Sequence, residues 1–184
     1  MGYISVALFF NVLGLGSSPT AWYTVVMFIN DFPMIEVSNS DPRFVELATR
    51  HNETLNAFVP GRKCVYDTKN TLPNLDYVVL VLDGKRAIAT SALTFVDKAT
   101  AEIMTVHVHS EYRGRGIARA LCNHLEQVAI ERGCTNVILD TWEQLVPAVK
   151  LYESLGYGRY DGEILHPIDK YCIYMRKSLI EKGS

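Results

Sequence analysis

The residues of this chain best suited to chemistry are Arg113-Gly114-Arg115-Gly116-Ile117-Ala118, with Arg119 directly after them. Glycines there let backbone N–H groups approach a ligand with no Cβ in the way. A helix that begins at this point adds unpaired N–H donors and the positive end of its dipole. Such a start suits the oxygens of a phosphate. Arg113, Arg115 and Arg119 sharpen the reading, because a helix start disfavours cations and favours anions. One such arginine would be ordinary solvated surface; three around one glycine-rich turn point to a shared anionic ligand. Other constellations offer less. His107 and His109 stand two apart as a candidate metal pair, yet no third ligand lies at convincing spacing, so no metal is expected. No Ser-His-Asp or reactive-cysteine arrangement competes. Trp142 and Glu143, after Asp140-Thr141, are candidates to line an acceptor pocket or to cap a strand.

The motif needs a strand before it and a helix after it, and the flanking patterns supply both. Residues 101–108 are apolar and rich in β-branched types, as a strand should be. Ile117, Leu121, Leu125 and Val128 recur at helical spacing, and Gly133 ends a helix over 117–132. Residues 136–140 read as a central strand. Pro147 suits the first turn of a helix that runs to Leu155 and closes at Gly156. Strands over 157–160 and 171–176 follow. Upstream, 34–37 is a short strand, and Asn39-Ser40-Asp41-Pro42 opens a helix carrying Phe44, Leu47, Ala48, His51, Leu55 and Phe58. Pro60-Gly61 ends that helix and 62–76 reads as loop. Strands 77–82 and 86–95 form a hairpin through Asp83-Gly84, and 101–108 joins them antiparallel through Asp97-Lys98. The order predicts an α/β (α+β) fold, a mixed sheet flanked by helices, in one domain over 34–184.

Composition sets outer bounds. A 184-residue chain, 48% hydrophobic and 21% charged, builds one ordinary core. A net charge of -2 without a basic tail argues against a nucleic-acid partner. Cys64, Cys122, Cys134 and Cys172 show neither CxxC pairing nor zinc spacing, and they read as reduced core thiols in a cytoplasmic protein. Residues 1–33 are an apolar leader; Asp31 is the first Asp, Glu, Lys, Arg or His. Runs 3–15 and 21–29 flank a breaker cluster at 14–20. The leader lacks a basic start, and neither run alone reaches the ~20 residues of a membrane helix. It reads first as an incidental extension or extra strands, and second as a membrane anchor.

Arg113-x-x-Gly116-x-Ala118, placed between strand and helix, resembles the acetyl-CoA pyrophosphate motif of the GCN5-related N-acetyltransferase (GNAT) family. The similarity extends to Val106-His107-Val108-His109-Ser110-Glu111-Tyr112 before it and to Ala148-Val149-Lys150-Leu151-Tyr152-Glu153-Ser154-Leu155-Gly156-Tyr157 after it. Three blocks in order cover about residues 34 to 178. The resemblance implies a GNAT-like acyl-CoA N-acyltransferase fold. It implies transfer of acetyl from acetyl-CoA, as co-substrate and without a metal, to a primary amine by direct attack.

By the same resemblance, the 106–108 stretch (Val106, His107, Val108) binds the pantetheine arm through its backbone. The N–H groups of Arg113, Gly114, Arg115, Gly116, Ile117 and Ala118 hold the pyrophosphate, with Arg119 beside them. The strand that carries Val108 splays from 136–140, and a free amide near 106–108 steadies the developing oxyanion. Tyr152 takes the role of general acid to the departing sulfur. Relatives often carry Glu where this chain has Met104; Glu102, on the same strand face by period two, is the expected base through water, and His107, on the opposite face, is its rival. Leu145 replaces a frequent cofactor-contacting Asn. The acceptor is a small-molecule or peptide amine shaped by 58–76 and 162–170, and homodimerisation is left open. The rival function is a non-catalytic acyl-CoA-binding sensor or interaction module.

Overall fold

Apolar residues run almost unbroken through the central strands, which requires cover on both faces of the sheet. The computed structural model describes residues 4–10, 23–58, 75–161 and 172–180. Its strands are β1 (Ile4–Phe10), β2 (Tyr23–Ile29), β3 (Phe32–Glu36), β4 (Tyr77–Asp83), β5 (Arg86–Phe95), β6 (Thr100–Val108), β7 (Asn136–Trp142), β8 (Gly158–Arg159) and β9 (Cys172–Ser178). The helices are α1 (Pro42–Phe58), α2 (Ile117–Glu131) and α3 (Val146–Ser154). One mixed sheet has the order β1-β2-β3-β4-β5-β6-β7-β9-β8. Among the described residues only the β6–β7 pair is parallel.

Period-two alternation sorts the strand residues between the helices. On one face Val78, Leu80 and Ala92 pack with Phe44, Leu47 and Ala48 of α1. On the other, Val79, Val81, Leu93, Ile103 and Val108 pack with Ile117, Leu121 and Leu125 of α2. Asp41 caps α1, its Oδ1 accepting the Arg43 N–H at 2.9 Å. Gly133 (φ 86) and Gly156 (φ 94) end α2 and α3 in the left-handed region that glycine tolerates best.

Most expected elements are present within a few residues of their expected ends. The β4–β5 turn is shifted by one: Asp83 pairs with Arg86, so the turn residues are Gly84 and Lys85 rather than Asp83 and Gly84. Gly84 takes the positive φ (58) that a tight hairpin demands. In the leader, β1 pairs with β2 and β2 with β3, all antiparallel, so the sheet extends through residues 4–10 and 23–29. The boundary expected at 33/34 falls inside β3. Among the described residues no helix is long and apolar enough to cross a membrane. Cys64, the turn at Pro60-Gly61 and the expected acceptor segments, apart from Phe58, Leu75 and Asp76, lie outside the described residues.

Candidate active site

The site begins with a bulge in β6. Glu102 opposes Thr94, Met104 opposes Ala92, and His107 opposes Thr90. Two residues of β6, Thr105 and Val106, therefore stand against Ser91 alone, with the register shift falling there. Thr105 has φ 55, a conformation that costs a β-branched residue free energy and that surrounding structure must enforce.

Beside the bulge, β6 and β7 part. Their parallel ladder covers only Thr100–Asn136, Ala101–Val137 and Glu102–Ile138. Both strands continue, to Val108 and Trp142, but pair no further with each other. The gap is the floor of a cavity of about 590 Å³. Residues 103–108 of β6 form one wall and 140–142 of β7 the other, with α1, α3 and the start of α2 closing it.

The glycine-rich turn stands at the cavity's end. Gly114 (φ 76) and Gly116 (φ 77) are both left-handed, and Gly116 is the N-cap of α2. The turn is braced from several sides. Asn30, between β2 and β3, donates Nδ2–H to the Arg115 carbonyl at 3.1 Å. Tyr112 donates to Asp83 at 2.6 Å and packs its ring edge-on against Phe32. Sequence reasoning misses Asn30 and Phe32 because no local pattern ties the end of the leader to residue 115.

The three arginines differ in placement. Arg113 lines the cavity and donates Nε–H to the Val108 carbonyl at 3.0 Å. Arg119 also lines it and reaches Ser154 Oγ of α3 at 2.5 Å. Arg115 is not among the lining residues; it stacks over the Tyr112 ring at 5.1 Å and donates to the Glu111 carbonyl. Gly114, Gly116, Ile117, Ala118, Val106, His107 and Val108 all line the cavity.

Tyr152 lines the cavity from α3, only 6% exposed, with its ring 6.0 Å from that of Tyr157. Burial above all holds its hydroxyl well above the ordinary tyrosine pKa, so it keeps its proton at neutral pH. Glu102 is fully buried at the last paired position and is not a lining residue. Trp142 and Leu145 line the cavity, whereas Glu143 pairs with Arg159 at the surface.

The histidines are arranged otherwise than period two suggests. His107 faces the α1 side together with Glu102, because the bulge cancels the alternation between them. There it meets His51 of α1, ring centroids 5.9 Å apart. Burial lowers both imidazoles to about 4, and each is neutral at pH 7. His109, just past the strand, contacts Arg86 and Tyr112 instead, so it forms no pair with His107. In the sequence His51 is one residue of an amphipathic stripe, and a histidine in an otherwise apolar stripe is the only local signal of its place here. Among the described residues no three His, Cys, Asp or Glu side chains are grouped as a metal site. Cys122, Cys134 and Cys172 are free thiols, and burial pushes Cys122 up to about 12.

These features fit a coenzyme A thioester. The β6 edge beyond Glu102 has no strand partner on the β7 side, which suits an extended arm. No protein atom beyond its chain neighbours lies within 4 Å of where a Cβ on Gly114 would stand, so a diphosphate can approach the turn.

Comparison with known proteins agrees. The model of the acetyltransferase (GNAT) family matches residues 43–157. N-acetylaspartate synthetase of Homo sapiens is 36% identical over 85 residues, 46% of this chain and 28% of that protein. The Xenopus tropicalis protein of the same name is 33% identical over 96 residues, 52% and 35% of the two chains. The matched part thus spans about a third of the length of these relatives. A putative acyl-CoA N-acyltransferase from Klebsiella pneumoniae superposes with TM-score 0.67 at 18% identity, covering 82% of this chain and 99% of that one. A putative acetyltransferase from Salmonella typhimurium, solved with acetyl-CoA, gives 0.61 at 16%, covering 84% and 97%. At such identities the likeness is one of fold. With the family model matching well over half of its length, the chain belongs to the acetyltransferase (GNAT) family.

Proposed function

We propose that this protein transfers acetyl from acetyl-CoA to a primary amine by direct attack, with no covalent enzyme intermediate. The observation that carries the reading is the split between β6 and β7, which runs from Glu102–Ile138 to the left-handed glycine turn with Tyr152 on its wall. Acetyl-CoA, when bound, supplies a thioester carbonyl open to a neutral amine. N–H groups of the 113–118 turn hold the diphosphate, with Arg113 and Arg119 near it. The backbone of Val106 and Val108 holds the pantetheine arm along the free edge of β6, and an amide at the bulge donates to the carbonyl oxygen. Tyr152 carries the proton for the departing sulfur. Glu102 is buried behind the vertex of the split and does not line the cavity, so it does not meet the acceptor directly. The acceptor is a small-molecule or peptide amine. Among the described residues Cys122, Cys134 and Cys172 are free thiols, the first two buried, which supports a reducing, cytoplasmic setting.

Tyr152→Phe is the test. Acetyl-CoA binding by calorimetry stays near wild type, while thiol release falls by about 10²-fold or more. Binding without thiol release in the wild-type protein would instead favour an acyl-CoA-binding module.

A further inference from the structure

The β6 bulge decides which side chains face the α1 side of the cavity. A regular strand would put Glu102 and His107 on opposite faces, five residues apart. The two-for-one count at Thr105 and Val106 puts them on the same one, with Thr94, Ala92 and Thr90 of β5 opposite. That face packs on α1, where Ala92 and Met104 meet Leu47 and Ala48. His51, one turn along α1 from these, reaches the same wall and meets His107 edge to face at 82°. Both residues line the cavity that Tyr152 lines.

Charged groups around the pair are unevenly placed. Arg50 acts on His107 from α1, and His109 and Arg113 act on it from the end of β6. On β6 itself Glu102 shares the face of His107, outside the cavity lining. Across the split stands Asp140 of β7, the one carboxylate among the described lining residues. The α1 side of the cavity, as far as the described residues line it, therefore offers no carboxylate to an amine. It offers two neutral imidazoles.

We propose that His107 is the catalytic proton acceptor of the acetyl transfer, with His51 positioning its ring. This rests on the acetyl-transfer reading above. His107 takes the amine proton as the N–C bond forms, and Tyr152 gives its proton to sulfur as the C–S bond breaks. Solvent then removes one proton from His107 and restores one to Tyr152, leaving amide and free thiol. His51 contributes no proton of its own; its edge-to-face contact holds the orientation of the His107 ring.

The test measures thiol release from acetyl-CoA with 2-phenylethylamine, spermidine, L-aspartate and an alanyl peptide, for wild type, H107Q, H107A, H51Q and E102Q, against pH. Calorimetry with acetyl-CoA accompanies each variant. H107Q keeps acetyl-CoA affinity, loses about 10²-fold in kcat, and loses the low-pH limb that appears as His107 becomes cationic. Added imidazole restores part of the H107A rate, which a purely packing role would not allow. H51Q moves the limb and lowers kcat less. Unchanged kcat in H107Q, or loss of the limb in E102Q but not in H107Q, would overturn the proposal and leave acetyl transfer standing. If no amine releases thiol although acetyl-CoA binds, acetyl transfer itself falls, and this proposal with it.

Discussion

Gly114→Ala separates the two things this glycine does. Alanine at φ 76 costs about 1–2 kcal/mol of left-handed strain. Reduced freedom of the unfolded chain returns about 0.4–1 kcal/mol of that. No protein atom beyond the chain neighbours lies within 4 Å of the new Cβ, so no clash adds to the cost. The net is about 1 kcal/mol, or about 2–4 °C in Tm for a domain of this size. Gly133→Ala is a matched control: φ 86, equally open, at the other end of α2. Both variants should lose similar Tm by scanning calorimetry. Strain present with and without ligand cancels from a binding equilibrium, so Gly133→Ala should bind acetyl-CoA like wild type. A Cβ on Gly114 stands where the diphosphate would approach, and affinity should fall at least about tenfold, about 1.4 kcal/mol. Wild-type affinity in Gly114→Ala, or an equal loss in Gly133→Ala, refutes the assignment of this turn to the phosphates.

Thr105→Gly relieves a strained φ worth about 1–3 kcal/mol, against about 0.5–1 kcal/mol for the added freedom of glycine. Urea unfolding should show unchanged or slightly raised stability, while turnover drops because the bulge no longer fixes His107. Acid lowers stability through the buried histidines. His107 falls from the ordinary 6.5 to about 4 on folding, so the unfolded chain takes up its proton first as pH falls. Its contribution is complete above about 6.5 and is lost toward 4, up to about 3 kcal/mol. Denaturant midpoints in H107Q should therefore decline less steeply over that window. Iodoacetamide at pH 8 should leave buried Cys122, whose thiol is pushed up to about 12, unmodified while half-buried Cys172 reacts; mass spectrometry of peptides reads this directly.

Features set by neighbours in sequence are legible from the residues alone. The glycine turn, the helix it opens and Gly133 at its end follow from local spacing and chirality, and α2 lies where the pattern puts it. The same holds for Asp41-Pro42 at the start of α1 and for Pro147 and Gly156 around α3. Other features are set by partners far along the chain. A bulge is a property of two strands counted against each other, and residues 101–108 alone read as a regular strand; that reading puts His107 on the wrong face. Asn30 bracing residue 115 is likewise a contact across 85 positions. The arginines look alike in sequence, yet Arg115 lies on the Tyr112 ring, outside the cavity, and no local signal distinguishes it from Arg113.

Thiol release from acetyl-CoA by the wild-type protein, followed as a function of amine concentration across the same four acceptors, tests the central claim most directly. Acetyl transfer predicts saturable, amine-dependent release with at least one acceptor, matched mole for mole by acetylated amine. Tight acetyl-CoA binding with release no faster than in buffer, whichever amine is added, would contradict it.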